Sequence, residues 1–307
     1  MAKMKVIVNP MADMGNVGRA IPDARDCLQK AGLSFEIEKT EGPMHAVELA
    51  QEAVRQGFDV VVGMGGDGTI NEVLNGLVLA KHKGLGEAAL GVLGVGRGND
   101  FAFGAGIPPG LEEGCAVLAE NHRRRIDVGK VQVDDEKKWR FFGNGIGIGF
   151  DAVVGFEAAK MTHLHGFVSY LVAALKTLFL YYVPPRVEIE FDNLKIEQPA
   201  LMVSVMNGRR MGGGFLMAPE SLTDDGKLDV CCVSWANRFR LLVLMVNFMS
   251  GSQAGKKPVR FERSRHLRVT ALKGDLPAHA DGETLCVKGR QLTIELLPAE
   301  LEVVTQK

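Results

Sequence analysis

The sequence predicts an α/β domain built on a parallel sheet, followed by a β-rich domain. Through residue 125, strand-like and helix-like patterns alternate, an order that wraps helices around a parallel sheet. After Arg123-Arg124-Arg125 this gives way to short apolar runs divided by turn residues, the texture of antiparallel strands. Within the first part, the apolar run 59–64 enters Gly65-Gly66-Asp67-Gly68-Thr69, with Ile70, Val73, Leu74 and Leu77 at helical spacing behind it. That is strand, turn, helix.

Val6-Ile7-Val8 reads as the first strand, with Asn9-Pro10 as its turn. A helix over 18–31 and a strand over 35–38 lead to Thr40. A helix over 45–56, a strand over 60–62, a helix over 69–80 and a strand over 89–93 complete the alternation. Ligands of such sheets sit beyond the carboxyl ends of the strands. Asn9, Thr40, the 65–69 loop and the 94–100 loop all fall there and can share one crevice. Further on, strands are predicted over 126–133, 138–149, 186–191, 200–206, 228–234, 267–272 and 284–297, with one helical segment around 151–183. The predicted domains are 1–125 and 126–297, with 298–307 returning to the first.

Hydrophobic residues make up 46% and charged residues 24%, ordinary for a globular protein. The net charge of −1 supplies no overall field toward nucleic acid, so no such partner is expected. Five cysteines form no CxxC pair, which suits a reducing cytoplasm. The N-terminus lacks the apolar stretch of a signal peptide. The apolar segments 167–183 and 241–249 fall short of the ~20 residues that span a bilayer. No transmembrane segment is expected; the protein should be cytoplasmic, and peripheral at the inner membrane face. Exposed sheet edges allow a homodimer.

The glycine loop carries the most specific chemistry. Three glycines let the backbone approach a ligand, and the following helix presents unpaired N–H groups and a positive dipole end to a phosphate. Asp67 inside that loop would repel phosphate unless a divalent cation bridges them or it moves a proton. A plain turn with Asp67 or Thr69 capping the helix competes with this reading. The second loop, Gly94-Val95-Gly96-Arg97-Gly98-Asn99-Asp100, adds polar groups near Asp67 or is an ordinary connection. Asn207-Gly208-Arg209-Arg210 with Gly212-Gly213-Gly214 suits phosphate or closes a solvated hairpin. The acidic turns at Asp224-Asp225-Gly226 and Asp281-Gly282-Glu283 read first as hairpin turns. The 256–268 segment carries six Lys or Arg against one Glu and suits anionic headgroups or a solvated strand face. His163, His165 and His279 show no metal spacing and read as structural or surface groups.

Taken in order, Asn9-Pro10, the run 65–72 from Gly65 to Glu72, 98–102, Asn207-Gly208, 225–229 and Asp281-Gly282-Glu283 resemble the soluble bacterial diacylglycerol-kinase-like lipid kinases, relatives of the sphingosine and ceramide kinases. The Gly-Gly-Asp-Gly-Thr loop is also shared with NAD kinases. The resemblance implies an NAD-kinase-like two-domain fold, an α/β domain plus an antiparallel β-sandwich, with nucleotide in the cleft between them. It implies ATP and Mg²⁺ as cofactors and a lipid hydroxyl, diacylglycerol above all, as acceptor at a membrane surface. Asn9, Thr40, Gly65, Gly66, Asp67, Gly68, Thr69, Ile70, Asn71, Arg97, Asn99 and Asp100 would surround the nucleotide. Asp67 would organise Mg²⁺, and Asp281 with Glu283 behind it would be the general base. A separate structural metal would map to the Leu222 carbonyl, the Asp225 carboxylate and the Lys227 carbonyl. Arg97 stands where the family usually has threonine; it either contacts phosphate or displaces the usual hydroxyl contact. An NAD kinase and a catalytically silent nucleotide sensor at a membrane surface are the competing readings.

Overall fold

The computed structural model describes residues 2–96, 98–161, 167–180 and 183–307; Arg97, His163 and His165 lie outside them. The chain divides into two compact units, Met1–Val128 with Pro298–Lys307, and Gly129–Leu297.

The first unit runs β1 (Lys3–Val8), α1 (Asn16–Arg19), α2 (Ile21–Lys30), β2 (Ser34–Lys39), α3 (His45–Arg55), β3 (Val60–Gly65), α4 (Asp67–His82), β4 (Ala89–Gly94), α5 (Asp100–Ala105) and α6 (Leu111–Glu120). The strands pair in parallel in the order β2-β1-β3-β4. The helix predicted over 18–31 is two pieces, and α5 and α6 lie where the sequence carries no clear helical period. The cause is glycine: Gly104, Gly106, Gly110 and Gly114 blur the helical period there. β1 and β3 are buried almost throughout, as expected of strands covered on both faces.

Helices α3 and α4 cross at Gly76. A Cβ there would lie 2.6 Å from both the Val47 carbonyl oxygen and the Ala50 Cβ. Gly76→Ala should therefore destabilise this unit by about 1–2 kcal/mol, because ~1–3 kcal/mol of overpacking outweighs the ~1 kcal/mol of helix propensity gained. A lower urea midpoint at unchanged slope is the expected result.

From β5 (Arg123–Val133) the chain enters the second unit: β6 (Arg140–Phe142), β7 (Gly145–Gly149), α7 (Phe150–Ala159), α8 (Phe167–Leu180), β8 (Arg186–Glu190), β9 (Lys195–Met206), β10 (Leu228–Ser234), α9 (Arg238–Ser250), β11 (Val259–Ser264), β12 (His266–Lys273), β13 (Leu276–Ala280), β14 (Glu283–Gly289) and β15 (Gln291–Val304). β15 ends in the first unit, where Val303 pairs in parallel with Leu90.

β9 serves two sheets. Its first half pairs with β8, and its second half lies between β7 and β10. The sandwich core between the sheets holds Phe142, Ile146, Val203, Val205, Val230, Val269 and Ile294. The alternate residues of β9 and β10, among them Met202, Met206, Cys231 and Val233, pack beneath α7, α8 and α9. Period-2 alternation thus serves two cores, which is why 230–233 reads as a continuous apolar run.

The strand predicted over 138–149 is interrupted at Gly143-Asn144. Among the described residues the single helical segment around 151–183 contains two helices, and 284–297 is divided at Arg290.

Candidate active site

In the first unit the carboxyl ends of β1, β2, β3 and β4 gather the predicted residues. The Asn9 amide donates to the Met64 carbonyl at 3.3 Å, and the Thr40 amide donates to the Val8 carbonyl at 2.8 Å. Both residues are thereby tied to the edge where the glycine loop leaves β3.

The two glycine loops touch backbone to backbone. A Cβ on Gly96 would fall 2.6 Å from the Gly66 Cα, and one on Gly98 would fall 2.6 Å from Asp67 Oδ2 and 3.8 Å from Asp100 Oδ2. Asp67 Oδ1 accepts the Phe101 amide at 3.1 Å, clamping the start of α4 to the start of α5. Asn99 takes a left-handed φ of 51° and donates its side-chain amide to the Gly96 carbonyl at 3.0 Å. Two carboxylates thus converge on a glycine-lined space at helix N-termini. Hard oxygen donors in that number suit Mg²⁺, which commonly takes one or two carboxylates plus phosphate oxygens. The cradle fits a magnesium-bound polyphosphate.

Not every residue of the motif faces this space. Thr69, Ile70 and Asn71 are buried within the unit. The Thr69 side chain lies over Gly65, Ile70 lies over Gly63, and the Asn71 carbonyl accepts from the Asn75 side chain at 2.8 Å. Glu72 has its own task. Its two carboxylate oxygens accept the Met44 and Ala46 amides at 3.0 and 3.2 Å, capping α3, which has no side-chain cap of its own.

The second unit centres on Asp281, which is buried in the tight turn after β13 with a left-handed φ of 47°. Its Oδ1 accepts the Asn144 and Gly145 amides at 3.0 and 2.8 Å, and its Oδ2 accepts the Gly143 amide at 2.8 Å. Three backbone donors fix the direction of the carboxylate. The 143–145 loop is held from behind: the Asn144 carbonyl accepts the Asn207 and Gly208 amides, each at 2.8 Å. The Asn207 side chain donates to the Gly143 carbonyl at 2.8 Å, and the Asn144 side chain donates to the Arg210 carbonyl at 2.9 Å. Asn207-Gly208 is therefore a support for Asp281. Asn144 went unnoticed in the sequence, although an Asn between two glycines marks a break in a strand. Glu283 is exposed and pairs with Ala280 across the turn.

The same unit holds an apolar pocket with Asp151 in its wall. His279 is buried, with Nε2 3.5 Å from Asp151 Oδ2, and Gly147 leaves the room in which they meet. Among the described residues, Asp151 is the one acidic residue lining a pocket otherwise formed by Phe150, Tyr170, Met202, Met211, Met245 and Phe248 and their apolar neighbours. The space is narrow, about 60 Å³. Its walls are rich in methionine, the most adaptable of apolar side chains.

The Leu222, Asp225 and Lys227 set has a different arrangement. The Asp225 carboxylate is paired with Arg263, which also holds Asp229 at 3.1 Å, and the Lys227 amide donates to Asp225 Oδ1 at 3.1 Å. Burial lifts the Asp229 carboxyl above its usual range, with Arg263 opposing. A guanidinium already neutralises the carboxylates, so this set does not fit a cation with Arg263 in place. Among the described residues no group of three or more His, Cys, Asp or Glu is placed to hold a metal.

Three of the six cations in the basic segment 256–268 are engaged in pairs within the unit. Arg260 meets Glu262, Arg263 meets Asp225 and Asp229, and Arg268 meets Glu190.

Residues 3–131 match the diacylglycerol kinase catalytic domain, and residues 144–305 match the YegS C-terminal NAD kinase beta sandwich-like domain. A diacylglycerol kinase of Mycobacterium tuberculosis is 29% identical over 98% of this chain and 94% of its own length. One of Staphylococcus saprophyticus is 26% identical over 92% and 88%. Among solved structures, a diacylglycerol kinase of Bacillus anthracis superposes with a TM-score of 0.71 at 21% identity, covering 99% of this chain and 97% of that one. Yeast NADH kinase in complex with NADH gives 0.54 at 11%, covering 100% and 84%. The two-domain NAD-kinase-like fold expected from the sequence is thus the fold observed, and the chain belongs to the kinase family that couples a diacylglycerol kinase catalytic domain to a YegS-type β-sandwich domain.

Proposed function

We propose that this protein transfers the γ-phosphoryl group of ATP to the hydroxyl of diacylglycerol, giving phosphatidate. The observation that carries the acceptor assignment is the pocket of methionine and aromatic side chains in the unit that holds Asp281, with the Asp151 carboxylate in its wall. A soluble acceptor such as NAD has no use for such a lining; a lipid hydroxyl beside acyl chains does.

Phosphoryl transfer asks a protein mainly for positioning and charge neutralisation. Asn9, Thr40, the backbone of Gly65 to Gly68, Asn99 and Asp100 would position the nucleotide, and Asp67 with Asp100 would hold its magnesium. Bound there, Mg²⁺ supplies charge neutralisation at the phosphate oxygens. Asp281 accepts the proton of the lipid hydroxyl as that oxygen bonds to phosphorus, and ADP leaves. Glu283 lies at the rim of the same turn, exposed to solvent. Asp151 orients the acceptor by accepting a hydrogen bond. The Leu222, Asp225 and Lys227 carbonyl and carboxylate set receives no cation in this scheme, because Arg263 holds Asp225. A site of action at the cytoplasmic membrane face follows from the lipid acceptor; among the described residues no helix is long and apolar enough to cross a membrane.

The test is direct. Purified protein receives γ-labelled ATP, Mg²⁺ and either dioleoylglycerol in mixed micelles or NAD. Label in extractable phosphatidate is expected. Labelled NADP would replace the proposal with an NAD kinase, and nucleotide binding without any labelled product would leave a silent sensor.

A further inference from the structure

Helices α8 and α9 use opposite faces for different purposes. Their inner faces cover β9 and β10 and wall the apolar pocket, through Tyr170 and Ala174 on α8 and Met245 and Phe248 on α9. Their outer faces are also apolar. Val168, Val172, Leu175 and Phe179 on α8 recur every three or four residues and are exposed. Phe239, Val243 and Val246 on α9 do the same at 80%, 62% and 63% exposure. Single exposed apolar residues are normal on a protein surface, but two stripes on adjacent helices are not.

The stripes adjoin. The Arg238 guanidinium at the start of α9 stands 5.9 Å from the ring centroid of Phe179 near the end of α8. Trp235, partly exposed, lies just ahead of Arg238. Across 167–180 and 238–250 the charged residues are Lys176, Arg238 and Arg240, with no Asp or Glu; Lys176 is paired with Glu157 of α7 at 3.0 Å, which leaves the two arginines as the cations of this face.

That composition selects one occupant. A second copy meeting this face would present Arg238 and Arg240 again, with no carboxylate on either helix to receive them. Helices of 14 and 13 residues are too short to span a bilayer. An apolar stripe edged by Arg, with Trp at its margin, matches the interface of an anionic bilayer. We propose that the outer faces of α8 and α9 dock this protein onto anionic membranes, lying in the plane of the interface, so that the pocket walled by their inner faces takes its acyl chain from the bilayer. The pocket's role rests on the lipid-kinase reading; the docking itself does not.

The experiment separates them by measuring vesicle binding without ATP or diacylglycerol. Wild-type protein is sedimented with phosphatidylcholine vesicles with and without phosphatidylglycerol. It should bind the anionic vesicles, more weakly as salt rises. A variant carrying Phe239→Ser, Val243→Ser and Val246→Ser should lose about tenfold or more in partitioning. Its unfolding temperature and its rate on water-dispersed dihexanoylglycerol should match wild type, since these residues line neither the pocket nor the core. A variant with Arg238→Glu and Arg240→Glu should lose the preference for phosphatidylglycerol.

Equal vesicle binding by wild type and the triple serine variant would overturn the proposal. So would a wild-type dimer in sedimentation velocity that the serine variant disperses, since the face would then be a subunit contact. Docking without lipid phosphorylation by any variant would defeat the kinase reading alone.

Discussion

Asp281→Asn should lower lipid phosphorylation by about 10²–10⁴-fold, the range for removing a general base, while nucleotide affinity stays unchanged. Asn is the informative substitution because residue 281 has a φ of 47°, and Asn tolerates the left-handed region as Asp does. The exchange still has a structural cost. One of the two oxygens that accept the Gly143, Asn144 and Gly145 amides becomes an NH₂ group facing a donor. An unsatisfied buried donor costs about 1–3 kcal/mol, so unfolding by urea must accompany the rate measurement. A variant that melts near wild type but has lost turnover supports the base assignment. Glu283→Gln is the control: Glu283 is exposed, and its loss should change turnover far less. If Glu283→Gln proves as damaging as Asp281→Asn, the base is Glu283 and Asp281 is a structural clasp.

Gly66→Ala should fold normally and lose nucleotide affinity by about 10²-fold, the scale on which a misplacement near 1 Å is felt. Nothing lies within 4 Å of a Cβ built on Gly66, and its φ of −90° suits any residue. The fold alone therefore asks little of this glycine beyond a cap preference of about 1 kcal/mol or less. A phosphate resting on the backbone would ask for it outright. Gly96→Ala makes the contrast. Its Cβ would meet the Gly66 Cα at 2.6 Å, backbone against backbone, so it should lower stability and nucleotide binding together. Calorimetric titration with a non-hydrolysable ATP analogue reads both variants. Wild-type affinity in Gly66→Ala would remove the phosphate from the first glycine loop.

The parts of this protein that are legible in sequence share one property: they are local. β3, the glycine turn and α4 follow one another without a gap, and the change from period 2 to period 3.6 falls at the turn itself. The parallel order of the first unit followed from the same alternation. β13 escaped notice because Gly274, Asp275 and Pro277 look like turn residues, and β11 because its charges hide its alternation. Both are strands because neighbours pair with them: β11 lies on β10, and β13 between β7 and β14. Such pairing depends on tertiary context more than on propensity.

The site divides in the same way. Sequence alone determined which loops present glycine and carboxylate at strand ends, because turn chemistry is written within a few residues. Only the tertiary structure decided what each carboxylate does. The amides that clasp Asp281 lie 136 to 138 positions back along the chain. The guanidinium that holds Asp225 lies 38 positions onward, and the acid in the pocket wall sits on a helix that reads locally as apolar. Contacts of that range arise from how sheets and helices pack, and no short stretch of residues encodes them.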